Sequence, residues 1–146
     1  MDFLYQDPYP ILKDDTHYKK LTSDYVKVEQ LGDREILVVD PKGLELLAQE
    51  AMDDVSFMLR SAHLQKLRNI IEDPEATDND RFVAYNLLQN AAVAVEGQLP
   101  SCQDTGTAIV VAKKGENVYT GVDDGEWLSK GIYNTYQNKN LRYSQI

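Results

Sequence analysis

The sequence predicts an α+β domain, rich in helix and carrying a small sheet. Three observations lead to that class. An alternation of apolar and polar residues on either side of a turn lies between residues 25 and 40. A succession of amphipathic stretches, two of them opened by capping residues, runs from residue 41 to 95. Two short strand-like runs sit between residues 107 and 120, ahead of a last helical stretch.

Tyr25 to Asp40 reads as a hairpin, because Val26 and Val28, then Ile36 and Val38, alternate about Leu31-Gly32-Asp33-Arg34, which carries the turn residues. Asp40-Pro41 opens a helix, an N-cap followed by proline at the first helical position. Leu44, Leu47, Ala48, Ala51, Met52, Val55, Met58 and Leu59 then recur at helical spacing. A second, short helix covers roughly residues 62–71 and stops at Asp73-Pro74. Thr77 caps a third, with Asp80 completing a shortened capping box. Phe82, Val83, Leu87, Leu88, Ala91 and Val95 form its expected buried stripe, and the unbroken Ala91-Ala92-Val93-Ala94-Val95 predicts burial on more than one side. Gly97 is the expected stop. Thr107 to Ala112 predicts a strand covered on both faces. A turn at residues 113–116 returns the chain as a second strand over 117–120, and a final helix runs from Asp123 to about Gln137. Residues 1–23 read as an extended arm over a partner surface, since Tyr5, Tyr9, Ile11, Leu12 and Tyr18 are too many large apolar groups for a solvated tail. Residues 24–146 make the domain.

A length of 146 residues favours one domain with a real core, and 42% hydrophobic with 27% charged residues is an ordinary globular composition. The balance of 24 acidic against 15 basic residues leaves a net charge of −9 and no basic cluster. Nucleic acid and anionic membrane are therefore not expected partners. A small anionic substrate remains open, because one arginine can hold a carboxylate against an unfavourable net field. No stretch approaches the roughly 20 apolar residues of a membrane span, and the opening Met1 to Gln6 resembles neither a secretory nor a transit signal. A cytoplasmic protein is expected.

Cys102 is the single cysteine. It forms no disulfide within the chain, and one thiolate does not complete a zinc or iron–sulfur site. Structural cysteines usually sit in an apolar stripe. Cys102 instead follows Pro100 and precedes Gln103-Asp104-Thr105-Gly106-Thr107, a run joining two apolar elements. Such groups cost free energy if desolvated without partners and make sense if they converge on a ligand. On the residues alone, a free cysteine in a polar loop and one corner of an active site stand level. A Cys–His nucleophile is disfavoured: His17 lies in the arm, His63 starts a helix, and no orienting group accompanies either.

The segment Leu99-Pro100-Ser101-Cys102-Gln103-Asp104-Thr105-Gly106-Thr107-Ala108 resembles the cluster-binding motif of the class I, iron–sulfur-dependent fumarate hydratases. Lys13 to Thr16 with Leu21-Thr22-Ser23 resembles that family's N-terminal arm, Ala51 to Arg60 with Ala62-His63 its first long helix, and Gly131 to Tyr136 with Asn140 to Gln145 its next signature. The resemblance covers the chain in order but only the beginning of the family's protein. It implies an N-terminal fragment that lacks two further cluster cysteines and a C-terminal domain. It also implies a [4Fe-4S] cluster held by three cysteines, Cys102 matching the first. One iron is left open as a Lewis acid for the reversible hydration of fumarate to malate in the tricarboxylic acid cycle. The chain alone is expected to hold no cluster and to be inactive. By the same resemblance Asp104 is catalytic, orienting or exchanging a proton with the substrate hydroxyl. Gln103 binds substrate, and Arg142 clamps a substrate carboxylate with its two-pronged guanidinium. Read without the family, Asp104 is a turn residue and Arg142 a solvated one. Expected partners are a small dicarboxylate, the missing C-terminal region, which should leave an exposed apolar docking face, and a second copy in a homodimer. Alternatives are a hydratase of another dicarboxylate such as tartrate, and a non-catalytic partner-binding domain.

Overall fold

The computed structural model describes residues 3–10, 12–13, 17–101 and 107–141. In chain order the elements are β1 (Val26–Leu31), β2 (Arg34–Val39), α1 (Pro41–Phe57), α2 (Ser61–Glu72), α3 (Asp78–Ala94), β3 (Val118–Tyr119) and α4 (Asp124–Asn138). The α+β expectation holds.

β1 and β2 form the expected hairpin, in register from Val26↔Val39 to Leu31↔Arg34. The two-residue turn places Gly32 at φ +64°, a left-handed angle that glycine adopts without a Cβ clash. β3 adds to the other edge of β2 in parallel, Leu37 facing Val118, and the strand order is β1-β2-β3. The helix starts follow the local signals. Asp40 accepts a hydrogen bond from the Lys42 N–H, with Pro41 at the first position. Thr77 and Asp80 make a reciprocal capping box. Asp123 caps α4 through the Gly125 and Glu126 amides.

The helices associate as α1 with α4 and α2 with α3. The α1–α4 contacts rise together along both helices. Glu45 meets Lys130 and Asn134, Gln49 meets Thr135, and Asp53 meets Lys139. The two helices therefore run parallel, with their C-terminal ends side by side. The crossing is close because residue 131 is glycine. A Cβ there would stand 2.2 Å from the Glu45 carbonyl oxygen and 2.8 Å from the Ala48 Cβ. Beyond the crossing, buried Phe57, Tyr136 and Leu141 make the core cluster, with Met52 and Ile132 packed on it.

Three expectations change. Residues 107–112 enter no strand among the described residues, and Ile109, Val110 and Val111 are exposed. The strand at 118–119 pairs with β2 instead of folding back on 107–112. A run apolar on both faces needs neighbours at two edges and two layers, and the described chain supplies none of them there. On α3 the inner residues are Ala84 and Ala94, with Leu87, Leu88 and Ala91 half-buried, whereas Phe82, Val83 and Val95 are exposed. α2 covers that helix on one side only. The arm's described residues hold neither helix nor strand; Phe3, Leu4, Tyr5, Tyr9, Leu12 and Tyr18 are exposed, and Lys113 pairs with Asp7 at 2.7 Å.

Candidate functional site

Cys102, Gln103, Asp104 and Arg142 lie outside the described residues, as do Thr105 and Gly106. Their nearest described neighbours are Ser101 and Thr107 on either side of the first segment and Leu141 before the second. Ser101 precedes Cys102. It is buried, and its N–H donates to the Ser56 carbonyl at 2.8 Å, in the last turn of α1. Ser56 is itself buried and donates its hydroxyl to the Met52 carbonyl at 2.7 Å. The Ser101 hydroxyl oxygen is enclosed and has no hydrogen-bond partner among the described residues.

Leu141 precedes Arg142. α4 ends at Asn138, Lys139 caps it, and Asn140 takes φ 50°. Asparagine is among the few residues that accept this left-handed angle at a helix terminus. The turn brings the Leu141 N–H back to the Tyr136 carbonyl at 3.1 Å and drops the Leu141 side chain onto Phe57. Ser56 and Phe57 are adjacent. Ser101 and Leu141, the described residues that precede Cys102 and Arg142, therefore lie at the same end of the α1–α4 pair although forty positions apart in sequence. The sequence reading of the last helix missed the Asn140 turn; an asparagine followed by leucine just past a helical stretch was the available signal.

The charges at this end follow from the helix directions. Two parallel helices present their C-terminal carbonyls together, a partly negative surface. Lys139 answers it: its Nζ lies 3.2 Å from Asp53 Oδ1 and 5.4 Å from the Phe57 ring centre. A carboxylate with a lowered pKa sits at the opposite end of α4. Asp124 accepts from Lys114 and from Thr120, each at 2.5 Å, and the Lys114 ammonium, then the Thr120 hydroxyl, hold it below the usual carboxylate range. That cluster ties β3 to α4 and lies about 22 Å from the Leu141 end at 1.5 Å per residue. His63 opens α2 with its N–H on the Arg60 carbonyl, and His17 is exposed in the arm. Among the described residues no group of three His, Cys, Asp or Glu side chains could hold a metal ion.

The comparisons with known proteins agree with the motif. The family profile described as Fumarate hydratase (Fumerase) matches residues 45–146. The chain is 56% identical over 143 residues to the anaerobic class I fumarate hydratase of Escherichia coli, covering 98% of this chain and 26% of that protein. It is 54% identical to the aerobic class I fumarate hydratase of Salmonella typhimurium, over 98% of this chain and 25% of that protein. It is 51% identical to Fumarate hydratase 1, mitochondrial, of Leishmania major, over 90% and 24%. The chain spans about a quarter of the length of these relatives. Identity at this level over nearly every position leaves one assignment: the chain belongs to the fumarate hydratase family.

Proposed function

We propose that this chain forms one wall of the active site of a class I, iron–sulfur fumarate hydratase, which adds water reversibly to fumarate to give malate. The observation that carries the reading is the convergence of Ser101 and Leu141 at the C-terminal end of the α1–α4 pair. Residues one bond away, Cys102 and Arg142, are those a cluster ligand and a carboxylate clamp would occupy.

The residues present fit such a cluster only in part. One cysteine cannot meet the needs of a cubane held by three thiolates, so Cys102 supplies one ligand and the rest of the longer protein supplies the others. The Ser101 hydroxyl beside Cys102, buried and without a partner among the described residues, is the kind of donor expected next to a group the chain alone does not hold. When bound, the cluster contributes a Lewis-acidic iron at an open coordination position. The chain's own residues do the remaining work. Arg142 pairs with a substrate carboxylate, which the helix C-termini at this end would otherwise repel. Gln103 hydrogen-bonds substrate, and Asp104 orients or exchanges a proton with the substrate hydroxyl. The protein acts as a homodimer in the cytoplasm, within the tricarboxylic acid cycle; among the described residues no helix is long and apolar enough to cross a membrane.

The test is anaerobic iron–sulfide reconstitution with iron counting and a fumarate hydration assay, on this chain and on a full-length protein carrying it. The chain alone should retain no stable cluster and turn nothing over. In the full-length protein Cys102→Ser should lose the cluster, while Asp104→Asn should keep it and lose most turnover. An active cluster on the isolated chain would overturn the reading. Near-normal turnover in the Asp104→Asn protein would remove Asp104 from its role.

A further inference from the structure

Between Arg81 and Lys113 the chain carries two charged residues, Glu96 and Asp104, in a sequence that is 27% charged overall. This stretch contains α3 from Phe82 onward, beyond its charged first turn, together with the motif segment and the run 107–112. Much of it faces solvent. On the side of α3 away from α2, Phe82, Tyr85 and Val93 are 67%, 53% and 49% exposed, and the residues between them on that face are Asn86 and Gln89. In the run, Ile109, Val110 and Val111 are 83%, 53% and 67% exposed, so three consecutive apolar side chains face solvent. A surface this apolar and this poor in charge marks a docking site.

We propose that the outer face of α3 and residues 107–112 are the seam on which the remaining three-quarters of the hydratase polypeptide docks, with 107–112 entering its sheet as an interior strand. This rests on the functional reading above for the identity of the docking polypeptide. Two facts select that occupant over a second copy of the chain. The relatives are about four times longer, so the family's polypeptide holds ample chain to cover the seam. A strand apolar on both faces needs neighbours at both edges and a layer over each face. A two-fold partner adding its own 107–112 run fills one edge only. Strand addition also satisfies the backbone N–H and C=O groups that 107–112 leaves outside any ladder among the described residues.

The experiment co-expresses this chain with the separately tagged remaining three-quarters of the Escherichia coli anaerobic enzyme, with a chelator present so that no iron takes part. Affinity capture and amide hydrogen exchange are the readouts. A one-to-one complex is expected, with the amides of residues 107–112 and the outer face of α3 protected on binding. Val111→Asp or, independently, Ile109→Asp should cut capture at least tenfold while leaving the isolated chain's circular dichroism and unfolding unchanged. Lys66→Glu, on exposed α2 surface, should capture like the parent. The proposal is overturned if the parent chain is not captured, if it forms only dimers with itself, if protection falls outside the seam, or if both aspartate variants bind as well as the parent. A complex that forms as expected but takes up no cluster on later reconstitution would remove the hydratase reading and leave the seam standing.

Discussion

Gly131→Ala should destabilise the chain although alanine is the better helix former. The substitution gains roughly 0.5–1 kcal/mol of helix propensity in mid-helix. Against this, the new methyl would lie 2.2 Å from the Glu45 carbonyl oxygen, 2.8 Å from the Ala48 Cβ and 3.0 Å from the Gln49 nitrogen. The nearest atom is backbone, so no rotamer change relieves the clash and α1 must retreat from α4 by roughly 1 Å. Overpacking of this kind costs about 1–3 kcal/mol, occasionally more. Retreat also stretches the Thr135 hydroxyl bond to the Gln49 carbonyl, now 2.9 Å, and the Asn134 bond to Glu45, now 2.7 Å; each is worth about 0.5–1.5 kcal/mol. The net expectation is a loss of about 2 kcal/mol, or about 4–8 °C in melting temperature for a chain of this size. Denaturant and thermal unfolding followed by far-ultraviolet circular dichroism measure it. Adding Ala48→Gly removes one methyl but not the carbonyl, so the double variant should recover little. A Gly131→Ala chain as stable as the parent, or more so, would refute the close parallel crossing.

Thr135→Val keeps the shape of a buried side chain and deletes its donor to the Gln49 carbonyl. It should cost about 1 kcal/mol in the same unfolding assay. Thr77→Ala breaks the reciprocal cap of α3 and should cost about 1 kcal/mol, with exchange protection lost first in the amides at the start of α3. Stability should also fall in acid. Asp7, Asp80 and Asp124 are held below their ordinary value of 3.8, chiefly by hydrogen bonds from Lys113, Thr77 and Lys114 respectively. Each therefore stabilises the fold fully above that value, and the stabilisation is lost as the pH falls through the lower folded values. Urea midpoints taken downward from about pH 5 should drop below about pH 4, and Lys114→Met should shrink that drop; a midpoint that rises on acidification would contradict the assignment.

What the sequence made legible was local. Asp40-Pro41 and Thr77 with Asp80 each carry a helix start within three or four residues, and each cap forms where it was read; Asp123, read as the first residue of the last helix, is its cap. The hairpin was likewise readable because its turn and both strands are contiguous. Non-local relations were not. Nothing in the local sequence explains a glycine at 131 within the last helix; only the presence of α1 across it does. The parallel pairing of β2 with β3 joins residues 37 and 118, which no window of sequence spans. The run 107–112 has strand composition but lacks strand neighbours in the described chain, so composition and ladder part company there. For the proposed site, Cys102, Gln103, Asp104 and Arg142 were singled out by their likeness to a family motif, and polarity and spacing alone left them ambiguous. That Ser101 and Leu141 would leave the fold together required the fold.

The parallel setting of α1 and α4 connects these observations. Had the two helices run antiparallel, the Ser101 contact at the end of α1 and the Leu141 turn at the end of α4 would lie at opposite ends of the pair. A parallel pair demands a long crossover, and α2, α3 and β3 occupy it. That crossover carries the charge-poor seam, whereas the α1–α4 contact carries the buried core. Frame and docking surface are thus separate parts of the chain, joined at Ser101, where the segment after α3 is fastened to the end of α1. Substitutions at Val111 should therefore change assembly without unfolding the frame. Gly131→Ala should do the reverse: it loosens the frame and, through Ser56 and Phe57, shifts both exit points of the site together.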